Sequence, residues 1–196
     1  MIDKKGFTLI ELLAVITILG ILMLVAIPAV SRTIENARKN TFITTAQTYV
    51  QAVRNGWAAD EISCGTTGTD RKVASALPSD NANYYVPFKT SADSSEAYSN
   101  ASALIGDGGK SSWGTADVEG FVQVHVEKVN AGASGGADSI KLTYYVSMVD
   151  TGGHGIIADK ANPSSGVPAD QLTRADVAVT GATPGSGTGI PCVVTG

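Results

Sequence analysis

The sequence predicts an α+β fold: a long N-terminal helix, membrane-spanning in its first half, packed on an antiparallel β-sheet head. Three observations predict it. From Phe7 to Ile27 the chain is apolar except for Glu11 and two threonines. Between Ser31 and Asp60 there is no proline, and Ile43, Ala46, Val50, Val53 and Trp57 recur at spacings of three and four, the stripe of an amphipathic helix. Further on, Val122, Val124 and Val126 alternate with polar residues, as do Ile140, Leu142, Tyr144, Val146 and Met148, the period of half-buried strands.

The apolar run is long enough to cross a bilayer, because at about 1.5 Å per residue it reaches about 30 Å, the depth of the hydrocarbon core. A secretory signal peptide predicts a shorter apolar core of about 7–15 residues followed by a small-x-small cleavage site. Here the run is longer, Lys4 and Lys5 stand directly before it, and Pro28 follows. The basic pair places the N-terminal end on the cytoplasmic side. Glu11 is the anomaly: a carboxylate at membrane depth costs about 3 kcal/mol or more, so it is retained where it has a partner or a task.

The stretch Lys4-Lys5-Gly6-Phe7-Thr8-Leu9-Ile10-Glu11-Leu12, with the apolar run and Pro28 behind it, resembles the signal of type IV pilins and the related pseudopilins. The resemblance implies a leader of residues 1–6, cut between Gly6 and Phe7 by a membrane-embedded prepilin peptidase that also methylates the new amine of Phe7. It implies that Glu11 and Pro28 serve assembly of a helical homopolymer. It further implies an assembly ATPase and a membrane platform as partners, with the subunit held in the inner or cytoplasmic membrane before assembly. The expected location is a single-pass membrane protein that becomes part of an extracellular filament at the cell surface. Two kinds of assembly share this signal: a pilus or pilus-like filament, and the short pseudopilus of a type II secretion or competence DNA-uptake apparatus. A membrane-anchored binding protein that never polymerises is a third class.

The charge relation behind the assembly role follows from the residues. A cut after Gly6 creates an ammonium at Phe7, at a different height from Glu11 on the same helix. In a bundle of axially staggered helices, the ammonium of one subunit meets Glu11 of a neighbour. Removing one partner of a buried pair costs about 3–5 kcal/mol, so an unpaired Glu11 penalises the wrong register.

The expected organisation is a helix over 7–60, with 7–27 in the membrane, and a head over 61–196. Pro28 removes one backbone hydrogen bond but need not end a helix whose neighbours support it. Glu35 precedes Arg38 and Lys39 at helical spacing. Within the head, 62–79 reads as a connecting loop. Tyr84–Phe88 reads as a short edge strand, because Pro87 cannot donate to a ladder. The polar stretch 91–112 reads as loop or weak helix. The two alternating segments are strands joined by a long loop over 130–139, and 155–158 is a third short strand, making an antiparallel meander. The segments 177–179 and 190–194 read as late strands in a loop-rich tail.

Composition bounds the chemistry. Residues 1–60 hold six Lys/Arg and four Asp/Glu, and residues 61–196 hold eight and fourteen. An acidic head is a poor match for nucleic acid, whose binding rests on cation–phosphate contacts, so no nucleic-acid partner is expected. Cys64 and Cys192 are the only cysteines and lack metal-site spacing. Outside the cytoplasm such a pair oxidises, and a bridge would tie the late chain to the end of the helix; the alternative is two separate buried thiols. Gly132-Ala133-Ser134-Gly135-Gly136 matches a nucleophile-elbow pattern without the strand–turn–helix context it needs. Gly185-Ser186-Gly187-Thr188-Gly189 lacks the lysine of a phosphate loop. His125 and His154 read as structural histidines. Asp150, Asp159, Asp170 and Asp176 fit no calcium-loop spacing. No catalytic residue, metal or cofactor is expected, and the chain reads as a structural subunit rather than an enzyme.

Overall fold

The computed structural model describes residues 6–66, 72–73, 75, 81–90, 99–100, 104–105, 110–114, 117–129 and 139–194. The chain forms two compact units, Met1–Arg38 and Lys39–Gly196, and helix α1 (Leu9–Ala58) contributes to both.

In the first unit, α1 carries apolar side chains on all sides, and those from Leu9 to Ile34 are exposed in the isolated chain. A helix apolar all round has no face for water and belongs in lipid or among other helices. Pro28 lies inside α1. Thr17, Ser31 and Thr33 turn their hydroxyls back to carbonyls of the preceding turn, so none presents an unbonded hydroxyl to an apolar environment.

In the second unit, the predicted stripe is the packing face. Ile43, Ala46, Val50 and Val53 are buried, and Trp57 packs partly buried against the same core. Phe42 and Tyr49 are buried with them. Each aromatic of this face meets a ring across the core. Tyr49 stacks on Phe88 at 4.0 Å, Trp57 meets Tyr84 edge-on at 5.4 Å, and Phe42 meets Trp113 edge-on at 5.4 Å. Burial pushes the Tyr49 hydroxyl well above the usual tyrosine range. The helix ends in a reciprocal pair of bonds: Glu61 N–H donates to the Gly56 carbonyl and Asp60 N–H to that of Trp57. Asp60 takes the left-handed conformation this motif requires, and its carboxylate accepts the Ser75 N–H.

The strands are β1 (Ile62–Cys64), β2 (Lys72–Val73), β3 (Ala82–Lys89), β4 (Ser99–Asn100), β5 (Val118–Val129), β6 (Ser139–Asp150), β7 (Gly155–Ile156) and β8 (Ile190–Val194). Among the described residues they form one sheet in the order β2-β1-β8-β3-β5-β6-β7, with β4 beside β3. The β5–β6–β7 meander is the one the alternation predicts. Most pairings are antiparallel, but β3 runs parallel to both β8 and β4, so the sheet is mixed. Gly155 opens β7 at φ 153°, where a side chain would collide with the Met148 carbonyl.

Several local expectations are corrected. Residues 62–64 and 72–73 are strands rather than loop, held by β8 and by each other. β3 is a central strand of eight residues, not a short edge. Pro87 is tolerated because β5 pairs along one side of it, while on the other β8 stops at Tyr85 and β4 begins at Phe88. Residues 177–179 supply only a single bridge, Ala178 to Gly155. The expected loop at 130–138, with its glycine-rich elbow motif, lies outside the described residues.

Three short 3-10 turns follow β7. Ala158–Ala161 packs with Tyr85, Phe121 and Tyr145 on the sheet face turned away from α1. Ala169–Gln171 lies on the α1 side, where the Ala169 carbonyl accepts from Gln47 Nε2 at 3.0 Å, and the last is Arg174–Asp176. Asp176 caps the last of them. Burial raises its pKa, but hydrogen bonds from the Thr173 hydroxyl (2.7 Å) and N–H (2.9 Å), with Lys160 at 3.0 Å, outweigh this and hold it below the usual carboxylate range. A depressed native pKa contributes stability above the unfolded value, about 3.9, that is lost as pH falls through the native value. Amide protection over 158–177, taken relative to the intrinsic exchange rate at each pH, should therefore fall on acidification below about pH 4. Asp176→Asn should already exchange faster at neutral pH and respond less to acid; equal acid response in both chains would rule Asp176 out as the titrating group.

Candidate functional site at the helix start and across the head

The expected site residues fall in two places. Gly6, Phe7, Glu11 and Pro28 lie in the first unit, and Cys64 and Cys192 in the second.

Gly6, Phe7 and Thr8 precede the helix, which begins at Leu9. Phe7 is 92% exposed. Glu11 reaches back one turn to Thr8: its Oε2 accepts the Thr8 N–H at 2.9 Å and the Thr8 hydroxyl at 2.8 Å. In return, the Glu11 N–H donates to Thr8 Oγ1 at 3.4 Å. This reciprocal pattern is a capping box, with Thr8 as the N-cap. It provides side-chain partners for two N–H groups at the helix start, which matters most where water is scarce. The sequence signal for it is Thr8-Leu9-Ile10-Glu11, the T-x-x-E pattern, which lies inside the longer prepilin-like motif and is masked by it. Glu11 and Pro28 share the helix yet stand about 26 Å apart by helical rise, so they do not form one local site.

In the head, Cys64 and Cys192 form a disulfide between directly opposed residues of β1 and β8. Both are buried. The bridge closes a separation of 128 residues and ties β8 to the segment that follows α1.

A second polar arrangement was missed from sequence. The buried Asp150 accepts the Ser111 hydroxyl at 2.5 Å, the Gly152 and His154 N–H groups at 2.9 Å, and His154 Nδ1 at 3.0 Å. His154 in turn stacks on Trp113 at 4.7 Å. The carboxylate lies between serine and histidine, so the serine has no base beside it and the arrangement is not that of a hydrolytic triad. Its effect is structural: it binds the 150–155 turn to the loop at 111–113. Asp150→Ala should lower head stability by about 2–3 kcal/mol, by leaving buried donors unpaired; unchanged chemical denaturation would contradict this.

His125 binds Asn83 at 2.7 Å on the outer face of the sheet. Among the described residues no group of three or more His, Cys, Asp or Glu is arranged to hold a metal ion. Tyr85, Pro87, Phe121 and the 184–187 loop line a shallow cavity of about 170 Å³, in which no nucleophile–base pair is assembled among the described residues.

The apolar character of α1 is that of a membrane-spanning helix by length and composition. No curated protein and no solved structure matches the chain. Residues 1–27 match the prokaryotic N-terminal methylation motif, and the chain thus carries the prepilin signal of the type IV pilins and pseudopilins.

Proposed function

We propose that the protein is a structural subunit of a type IV pilus or pilus-like filament, polymerising through the first half of α1. The observation that carries this reading is an exposed helix, apolar all round and broken by one acidic side chain, directly behind a prepilin signal. Such a helix is stable in lipid or bundled with copies of itself. The leader of residues 1–6 is removed between Gly6 and Phe7, and the Phe7 amine is methylated. The subunit waits in the membrane through residues 7–27, with the head over 61–196 outside, and enters a cell-surface filament. Glu11 then pairs with the Phe7 ammonium of a neighbour and fixes the axial stagger. The prepilin peptidase, an assembly ATPase and a membrane platform are the partners this route requires. What supports a structural subunit rather than an enzyme is the prepilin signal itself, which belongs to filament-forming proteins.

Two measurements test the reading. Mass spectrometry of the mature chain should give N-methylated Phe7 as the first residue; an N-terminus beyond Pro28 would mean an ordinary signal peptide. Electron microscopy of material sheared from cells, with identification of its main component, should show filaments built from this chain. Filaments lacking it would move the reading to a pseudopilin or a non-polymerising anchor.

A further inference from the structure

We propose that the Thr8–Glu11 capping box sets where the helix begins, and thereby keeps the Gly6–Phe7 peptide bond outside the helix and accessible to the peptidase. Thr8 is thus a positioning residue for cleavage. The inference rests on the reading that Gly6–Phe7 is the bond cut.

Hydrolysis there requires water to add to the Gly6 carbonyl carbon. The Gly6 C–Phe7 N bond then breaks, both protons of the water end on the Phe7 nitrogen as an ammonium, and Gly6 is left as a carboxylate. In a helix that carbonyl would accept the N–H four residues on, from Ile10, and neighbouring turns would cover its flanks. In the structure, Gly6, Phe7 and Thr8 are outside the helix, and the helical ladder starts with Leu12 N–H to the Thr8 carbonyl at 3.3 Å.

Backward extension of the helix has forces in its favour, opposed by the poor helix propensity of Gly6. Leu12, Leu13 and Ala14 are strong helix formers. At membrane depth the N–H groups of the first turn need acceptors, and the nearest backbone acceptors are the carbonyls of Gly6 and Phe7. The capping box removes that demand. Glu11 N–H, which would otherwise seek the Phe7 carbonyl, is taken by Thr8 Oγ1. Thr8 N–H is taken by Glu11 Oε2. Without the Thr8 hydroxyl, the Glu11 N–H pulls Phe7, and Gly6 with it, into the helix.

The test uses the full-length precursor in membrane vesicles containing the peptidase, with cleavage followed over time and the new N-terminus read by mass spectrometry. Thr8→Val keeps the shape and removes the hydroxyl, and should be cut about fivefold more slowly, the factor expected for loss of an N-cap. Thr8→Ser should be cut within about twofold of the natural chain, because serine caps equally well. The deciding chain is Thr8→Val with Leu9→Pro. Proline at the first helical position keeps the residue before it out of the helical region, so this chain should regain the natural rate without the hydroxyl. If Thr8→Val is cut as fast as the natural chain, the proposal is overturned. It is also overturned if the double variant stays as slow as Thr8→Val, which would mean that the peptidase reads the hydroxyl itself. If the natural chain is cut at another bond, the reading of the cleavage site fails first and this inference with it.

Discussion

Glu11→Ala is expected to leave the subunit in the membrane and abolish its incorporation into filaments. Insertion becomes easier, because the charged side chain carries the penalty. Addition to a filament becomes harder, because each incoming Phe7 ammonium then lies in an apolar bundle with no carboxylate opposite. That costs about 3–5 kcal/mol per contact, or two to four powers of ten in each addition constant. Filament yield after shearing is the readout, with membrane fractionation and the mature N-terminus as controls. Glu11→Gln sharpens the result. Its amide oxygen still accepts the Thr8 N–H, so the helix start is kept while the charge is gone. Loss of filaments in both variants assigns assembly to the charge. Normal yield from Glu11→Ala would count heavily against the register mechanism, and loss of insertion as well would show that Glu11 acts earlier.

The second large effect is expected from the disulfide. Replacing Cys64 and Cys192 together by alanine releases a cross-link spanning 128 residues. In the chain-entropy account this lowers stability by about 4–5 kcal/mol. Urea denaturation of the detergent-solubilised chain should shift its midpoint by about 2 M, taking about 2 kcal/mol per molar as the slope for a domain of this size. The natural chain with reductant should behave like the variant. A midpoint unchanged in both would mean that strand pairing alone holds β1 against β8.

Legibility in the sequence followed the range of the forces involved. The stripe Ile43–Trp57 and the alternation of β5 and β6 were readable, because each is one face of one element repeated at a fixed period. The membrane helix was readable because lipid leaves few alternatives. β1 was not, because three residues, Ile62-Ser63-Cys64, show no period and become a strand only when β8 supplies partners about 130 residues later. The placement of β3 was misread for the same reason. Pro87 argued for an edge strand, yet β3 is central, and the gap that accommodates the proline is made by two distant short strands. The Asp150 arrangement depends on Ser111 and Trp113, residues with no local signal of a shared purpose. At the helix start, the capping pattern was in plain view but lay inside a more conspicuous motif.

The place of β8 between β1 and β3 has a consequence for timing. β1 is made soon after the membrane helix, yet its partner on the side toward the rest of the sheet is β8. If the subunit is exported helix-first, as proposed above, β1 would wait until residues 190–194 have crossed the membrane. The β5–β6 hairpin and its packing on α1 can form before then, so the head passes through a state with a formed centre and an unclosed flank. On the proposed export route, oxidation of Cys64 with Cys192 would work as a clock, recording the moment at which translocation delivers β8. Trapping the thiols during export would time that moment in living cells.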